Sequence, residues 1–115
     1  MIMTYICSPL SAPTRAEMLA NAARAIRYSV EAEKEFCEKA VAPHAYLPYL
    51  LDDQVPEQRA LALEFGLKVL QMCDRLAVYG PGISSGMKGE ILEAKRLGIQ
   101  VIDRTERRLL SDEGA

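Results

Sequence analysis

Apolar and polar positions follow two rhythms along this chain. Ile2 to Cys7, IMTYIC, is a short β-branched and apolar run with turn formers, SPLSAP, directly behind it. That pattern predicts a buried first strand. From Thr14 to about Glu38 the rhythm is helical. Met18, Ala22, Ala25, Ile26, Ser29, Val30 and Ala32 make an apolar, small-residue face, and Arg24, Arg27, Glu31, Lys34 and Glu35 a charged one. Thr14 and Glu17 have the spacing of a capping box. Lys39 to Ala42 fits a second short strand, and Pro43 and Pro48 predict a loop over His44–Tyr49. Pro56 opens a second helix that runs to Cys73, with Leu61, Phe65, Val69 and Met72 at helical spacing. Asp74–Gly80 reads as a third strand, Ser85–Leu97 as a third helix, and GIQVIDR as a capping Gly98 and a fourth strand. The tail from Thr105 is polar, with room for one helical turn.

Strands and helices therefore alternate, which predicts an α/β fold on a small parallel sheet of about four strands. Ligands in such sheets bind outside the carboxyl ends of the strands, near the switch in strand order. Three loops lie there: CSPLS, PHAYLP and YGPGISSG. They hold nearly all the unusual residues of the chain.

Composition narrows the picture. With 115 residues the chain has the size of one domain, 1–115, and half of its residues are apolar. The net charge is only −2, which argues against electrostatic binding of a nucleic-acid polymer. Cys7, Cys37 and Cys73 lie in apolar runs without a CxxC, as expected of buried free thiols in a reducing compartment. No signal peptide and no membrane span is evident, so a cytoplasmic protein is expected. His44 is the only histidine, and no second histidine or CxxC completes a metal site; no metal or cofactor is expected.

The glycine-rich loop leads into a helix N-terminus, where unpaired N–H groups and the helix dipole favour an anion. Gly80, Gly82 and Gly86 allow close approach, and Ser84 and Ser85 add hydroxyls. The alternative is an N-cap serine on an ordinary turn. Met87, Ile91 and Ala94 share the core face of that helix. Glu90 sits about 100° away from Ile91 and reaches back toward the loop. Glu93 has a similar bearing one turn further on, and a helical glutamate is more often a solvated surface residue. Ser8 and Pro9 after strand one, and His44 and Tyr46 after strand two, complete the ligand end. The tyrosines there suit stacking on a base, or a lid on the core.

On the residues TYICSP, CDRLAVYG and SSGMKGEILEAKRLGI, the chain from about Met3 to Ile102 resembles the nucleoside 2-deoxyribosyltransferase-like superfamily. That group includes nucleoside deoxyribosyltransferases, deoxynucleoside-monophosphate N-glycosidases and small uncharacterised domains of bacteria and phages. The last often carry a segment like Pro43–Pro48, and the spacing Glu90, Ala94, Gly98 is the most specific element. The resemblance implies a flavodoxin/Rossmann-like three-layer sandwich that binds a nucleoside, nucleotide or nucleotide-derived molecule, and a homodimer. It implies Glu90 as the nucleophile that displaces the base, Tyr5 near the reacting centre and Ser84 on a 5′-phosphate. The enzymes also carry an aspartate on the second helix that handles the proton of the departing base. The aligned residue here is Gly66, within LEFGLK. Loss of a general acid costs ~10²–10⁴-fold, so a binder that sequesters a nucleotide signal without cleaving it is the alternative.

Overall fold

The computed structural model describes residues 2–52 and 54–110. Four strands, β1 (Met3–Cys7), β2 (Lys39–Val41), β3 (Arg75–Gly80) and β4 (Gln100–Thr105), form one sheet in the order β2-β1-β3-β4. Every pairing is parallel. The helices are α1 (Arg15–Phe36), α2 (Leu47–Leu50), α3 (Pro56–Gln71) and α4 (Ser85–Arg96). This is an α/β fold with an all-parallel sheet, compatible with a flavodoxin/Rossmann-like three-layer arrangement.

Strand alternation builds the two layers of core. Tyr5, Cys7, Leu76 and Val78 pack on one side with Leu70 of α3 and Met87, Ile91 and Ala94 of α4. Their neighbours Ile6, Ala77 and Tyr79 point the other way, onto Ala25 and Ala32 of α1. Tyr79, from the glycine-rich stretch, thus belongs to the α1 side, where its ring stacks on Tyr28 at 4.9 Å. The chain goes from β1 to β2 on one side and returns to β3 on the other. The order therefore reverses at β1, and the crevice between the carboxyl ends of β1 and β3 is the expected ligand position.

Helix ends follow their local chemistry. Thr14 Oγ1 accepts from the Glu17 N–H at 3.1 Å and starts α1. Gly98, with φ +75°, follows α4 and turns the chain into β4.

Several expectations need correction. Residues 43–50 are not a plain loop but a 3-10 turn, Pro43–Ala45, and the one-turn α2. Both prolines sit in first turns, where a missing N–H costs nothing. Ile26 and Val30 of α1 are exposed, and the buried stripe is Ala22, Ala25 and Ala32. The small side chains let the helix lie close to the sheet, so their larger neighbours on the flank stay outside. Leu61 and Phe65 of α3 and Met72 just after it are exposed, and Gly66 and Leu70 are buried instead. Apolar residues make up half of that helix and fall on all sides of it, so spacing alone left its inward face ambiguous. Cys7 and Cys73 are buried, but Cys37 is exposed in a left-handed turn (φ 55°) at the end of α1. Among the described residues, turns and no helix follow β4, and the tail beyond residue 110 lies outside them.

Candidate functional site

The site grows from the C-terminal half of β1. Tyr5 and Cys7 lie two residues apart, so both side chains point to the α3/α4 side of the sheet. Both meet Glu90 of α4. The Tyr5 hydroxyl donates to Glu90 Oε2, and Cys7 Sγ approaches Oε1 at 3.6 Å as a weak donor. Cys7 Sγ also lies 3.8 Å from the Met87 carbonyl. Burial pushes the Tyr5 hydroxyl far up, and the adjacent Glu90 charge adds to this. Burial likewise raises the Cys7 thiol well above its usual range. Both groups therefore keep their protons and serve as donors. Burial also raises Glu90, against the two donors that favour its charged form.

A cavity of about 530 Å³ opens over this cluster. That lies within the range of small-molecule sites, ~300–1,000 Å³. Its floor holds Tyr5 and Glu90, and Ser84, Ser85, Gly86 and Met87 line the α4 side. Ser8 and His44 close the β1 and β2 side, with Ser8 Oγ 2.7 Å from His44 Nε2. Burial depresses the His44 imidazole to about 4, so it is neutral at pH 7 and supplies polarity without charge. Across the cavity α3 presents Arg59, Ala62, Leu63, Gly66 and Leu67, one stripe at helical spacing.

Gly66 is the most informative of these. A Cβ built there would stand 3.3 Å from the Tyr5 hydroxyl. The α3 position next to the Tyr5 hydroxyl thus has no side chain. Glu93 is the other carboxylate among the lining residues, and Arg96 Nε holds both of its oxygens at 3.1 Å. Asp74 is remote, because its carboxylate accepts the Met3 N–H at 3.1 Å at the opposite end of the sheet.

The structure brings together Tyr5, Ser8, His44, Ser84, Ser85, Gly86, Met87 and Glu90 around this cavity. It does not place Pro9, Tyr46 or Gly80 among the lining residues. Gly80 and Pro9 pack on each other just behind, and Tyr46 is exposed. Cys7 is the site residue missed as such. Its place two residues after Tyr5, on the same strand face, was the available signal. A neighbouring hollow of about 590 Å³ lies between the start of α1 and α2, lined by Pro13, Arg15, Tyr49 and others, without Tyr5 or Glu90. Among the described residues no group of three or more His, Cys, Asp or Glu gathers as metal ligands, and no helix is long and apolar enough to cross a membrane.

Two measurable consequences arise here. Ser84 is the N-cap of α4, its Oγ accepting the Met87 N–H at 3.3 Å while its own N–H reaches Met87 Sδ at 3.3 Å. Its hydroxyl proton stays available to a ligand, and the N–H groups of Ser85 and Gly86 have no intrahelical acceptor. Ser84→Ala is expected to cost about 1 kcal/mol, seen as a thermal midpoint lower by roughly 4 °C.

The second consequence concerns pH. Glu90 binds its proton more tightly folded than unfolded, so it stabilises the fold fully below its ordinary value of 4.5. That contribution is lost as pH rises through the raised folded value. Urea unfolding of wild type and Glu90→Gln should show wild type losing ground to the variant as pH rises above 4.5. A constant gap would mean that Glu90 is not desolvated.

An open parallel α/β sheet with a carboxylate site at its switch point defines the class of protein. The chain belongs to the DUF7768 family, a domain of unknown function whose model matches residues 2–104. A search of the curated proteins finds no match.

Proposed function

We propose that the cavity takes a nucleoside or nucleotide and that Glu90 attacks its N-glycosidic bond. The observation that carries this is the Tyr5–Glu90–Cys7 cluster: a carboxylate at the floor of a ligand-sized cavity, oriented at both oxygens. A buried, held carboxylate suits an oxocarbenium-like transition state at a sugar carbon. In the step itself a Glu90 oxygen bonds to C1′ and the C1′–N bond breaks. The electron pair leaves with the base, which takes a proton from water. A second water then attacks C1′, returns the carboxylate and releases the sugar. The sequence resemblance supports this reading independently of the cavity. In it the chain acts as a homodimer or higher homo-oligomer, without a cofactor, in the cytoplasm.

A second reading rests on Gly66. With no side chain there and Glu93 tied to Arg96, no free acid among the described residues faces a departing base. The same cavity would then hold a nucleotide, or a nucleotide-derived signal such as one a phage must neutralise, without cleaving it. One experiment separates the two. Near-stoichiometric protein is incubated with nucleosides, nucleotides and cyclic nucleotides, the protein is filtered off, and the filtrate is chromatographed. Free base marks cleavage. A nucleotide that disappears and returns intact on denaturation marks sequestration. A filtrate unchanged throughout would sink both.

A further inference from the structure

The cavity wall carries one cation that the chemistry above does not use. Arg59 is the only lysine or arginine among the residues described as lining it. Its backbone N–H donates to the Val55 carbonyl at 2.9 Å, but its side chain makes no hydrogen bond or ion pair within the described residues. Other arginines of the fold are committed: Arg75 to Glu38, Arg96 to Glu93 and Arg104 to Glu35. Arg59 instead stands exposed at the cavity.

Its position relative to the carboxylate is fixed by helix geometry. Arg59 and Gly66 lie seven residues apart on one stripe of α3, about 10 Å along the axis. Gly66 marks the Tyr5–Glu90 end, and Ala62 and Leu63 between them offer no polar group. A ligand whose sugar sits over Glu90 and whose body follows α3 therefore passes an apolar spacer and reaches the guanidinium. The charges sort such a ligand: Glu90 repels an anionic group, and Arg59 attracts it. A guanidinium also presents the planar donor fork that phosphate oxygens fit.

We propose that Arg59 is the anion-recognising residue of the cavity, so that its ligand carries a phosphate at the α3 end and is a nucleotide rather than a free nucleoside. The sugar and base in this statement rest on the function proposed above; the anion subsite does not. The test has two arms. In the first, pyrophosphate alone is titrated at low salt into protein labelled for arginine Nε–H resonances. In the second, adenosine and thymidine are compared with their 5′-mono- and diphosphates by calorimetry, in wild type, Arg59→Gln and Arg59→Lys. Arg59 is exposed, so these variants should fold as wild type does.

Saturable movement of the Arg59 resonance is expected, weakening with salt. The phosphorylated ligands should bind about tenfold or more tighter than the nucleosides, a preference lost in Arg59→Gln and partly kept in Arg59→Lys. An unmoved Arg59 resonance, or an equal phosphate preference in Arg59→Gln, would overturn the proposal. So would equal binding of nucleosides and nucleotides to wild type, which would leave the nucleoside site itself standing. Pyrophosphate binding at Arg59 with no binding of any nucleoside or nucleotide would support the subsite and overturn the nucleoside reading instead.

Discussion

Glu90→Gln is expected to reduce release of free base by roughly 10³-fold or more while leaving nucleotide binding within a few-fold of wild type. The amide keeps the size of the side chain and one oxygen for the Tyr5 hydroxyl, which otherwise has Glu90 as its partner. It removes the nucleophile and the negative charge that balances a developing oxocarbenium ion. The pair of effects matters more than either alone, since loss of both turnover and binding would indicate a broken cavity. Glu90→Ala is a poorer probe. It leaves the Tyr5 hydroxyl, on a side chain 1% exposed, without its acceptor, and an orphaned buried donor costs ~1–3 kcal/mol. Single-turnover assays of both variants, with unfolding curves alongside, separate chemistry from stability.

The largest effect on the fold is expected at Gly80, the last residue of β3. Its φ is +113°, a conformation that side-chain-bearing residues rarely adopt. A Cβ there would meet Pro9 Cδ at 2.8 Å and Cγ at 3.3 Å, atoms of a rigid ring. The backbone strain costs on the order of 1–3 kcal/mol, and displacement of Pro9 adds to it. Gly80→Ala should therefore destabilise by roughly 2–4 kcal/mol, a fall of about 10 °C or more in the thermal midpoint. Gly86 is the control, because nothing lies within 4 Å of its Cβ position. Gly86→Ala in the first turn of α4 should leave the midpoint nearly unchanged or slightly raised. Equal effects at the two glycines would contradict the packing described. Pro9 and Gly80 join the loops after β1 and β3, so Gly80→Ala should also loosen ligand binding.

Much of this was legible in the chain. IMTYIC and RLAVYG are apolar runs bounded by turn formers, and buried central strands of a parallel sheet need that pattern. The alternation of elements placed the ligand end of the sheet. Helix geometry then turned Glu90 back toward its loop, where it meets Tyr5 and Cys7. The inward face of α3 was not legible. Leu61, Leu63, Phe65 and Leu67 stay outside, so apolarity did not mark burial, and one of the two buried residues, Gly66 beside Leu70, is a glycine. Only the tertiary contact with Tyr5 shows why a glycine stands there. The turns over residues 43–50 were hidden by prolines that break helices in most positions but are accepted in their first turn. The role of Cys7 was hidden because an apolar strand explained the residue already.

The most direct test of Glu90 as nucleophile is mass spectrometry of the acid-quenched protein after mixing with the nucleotide that the filtrate assay selects. The peptide that contains Glu90 should gain the mass of the sugar phosphate without its base, early in the reaction, and Glu90→Gln should gain nothing. Base release with no adduct on that peptide, and at an undiminished rate in Glu90→Gln, would contradict the account.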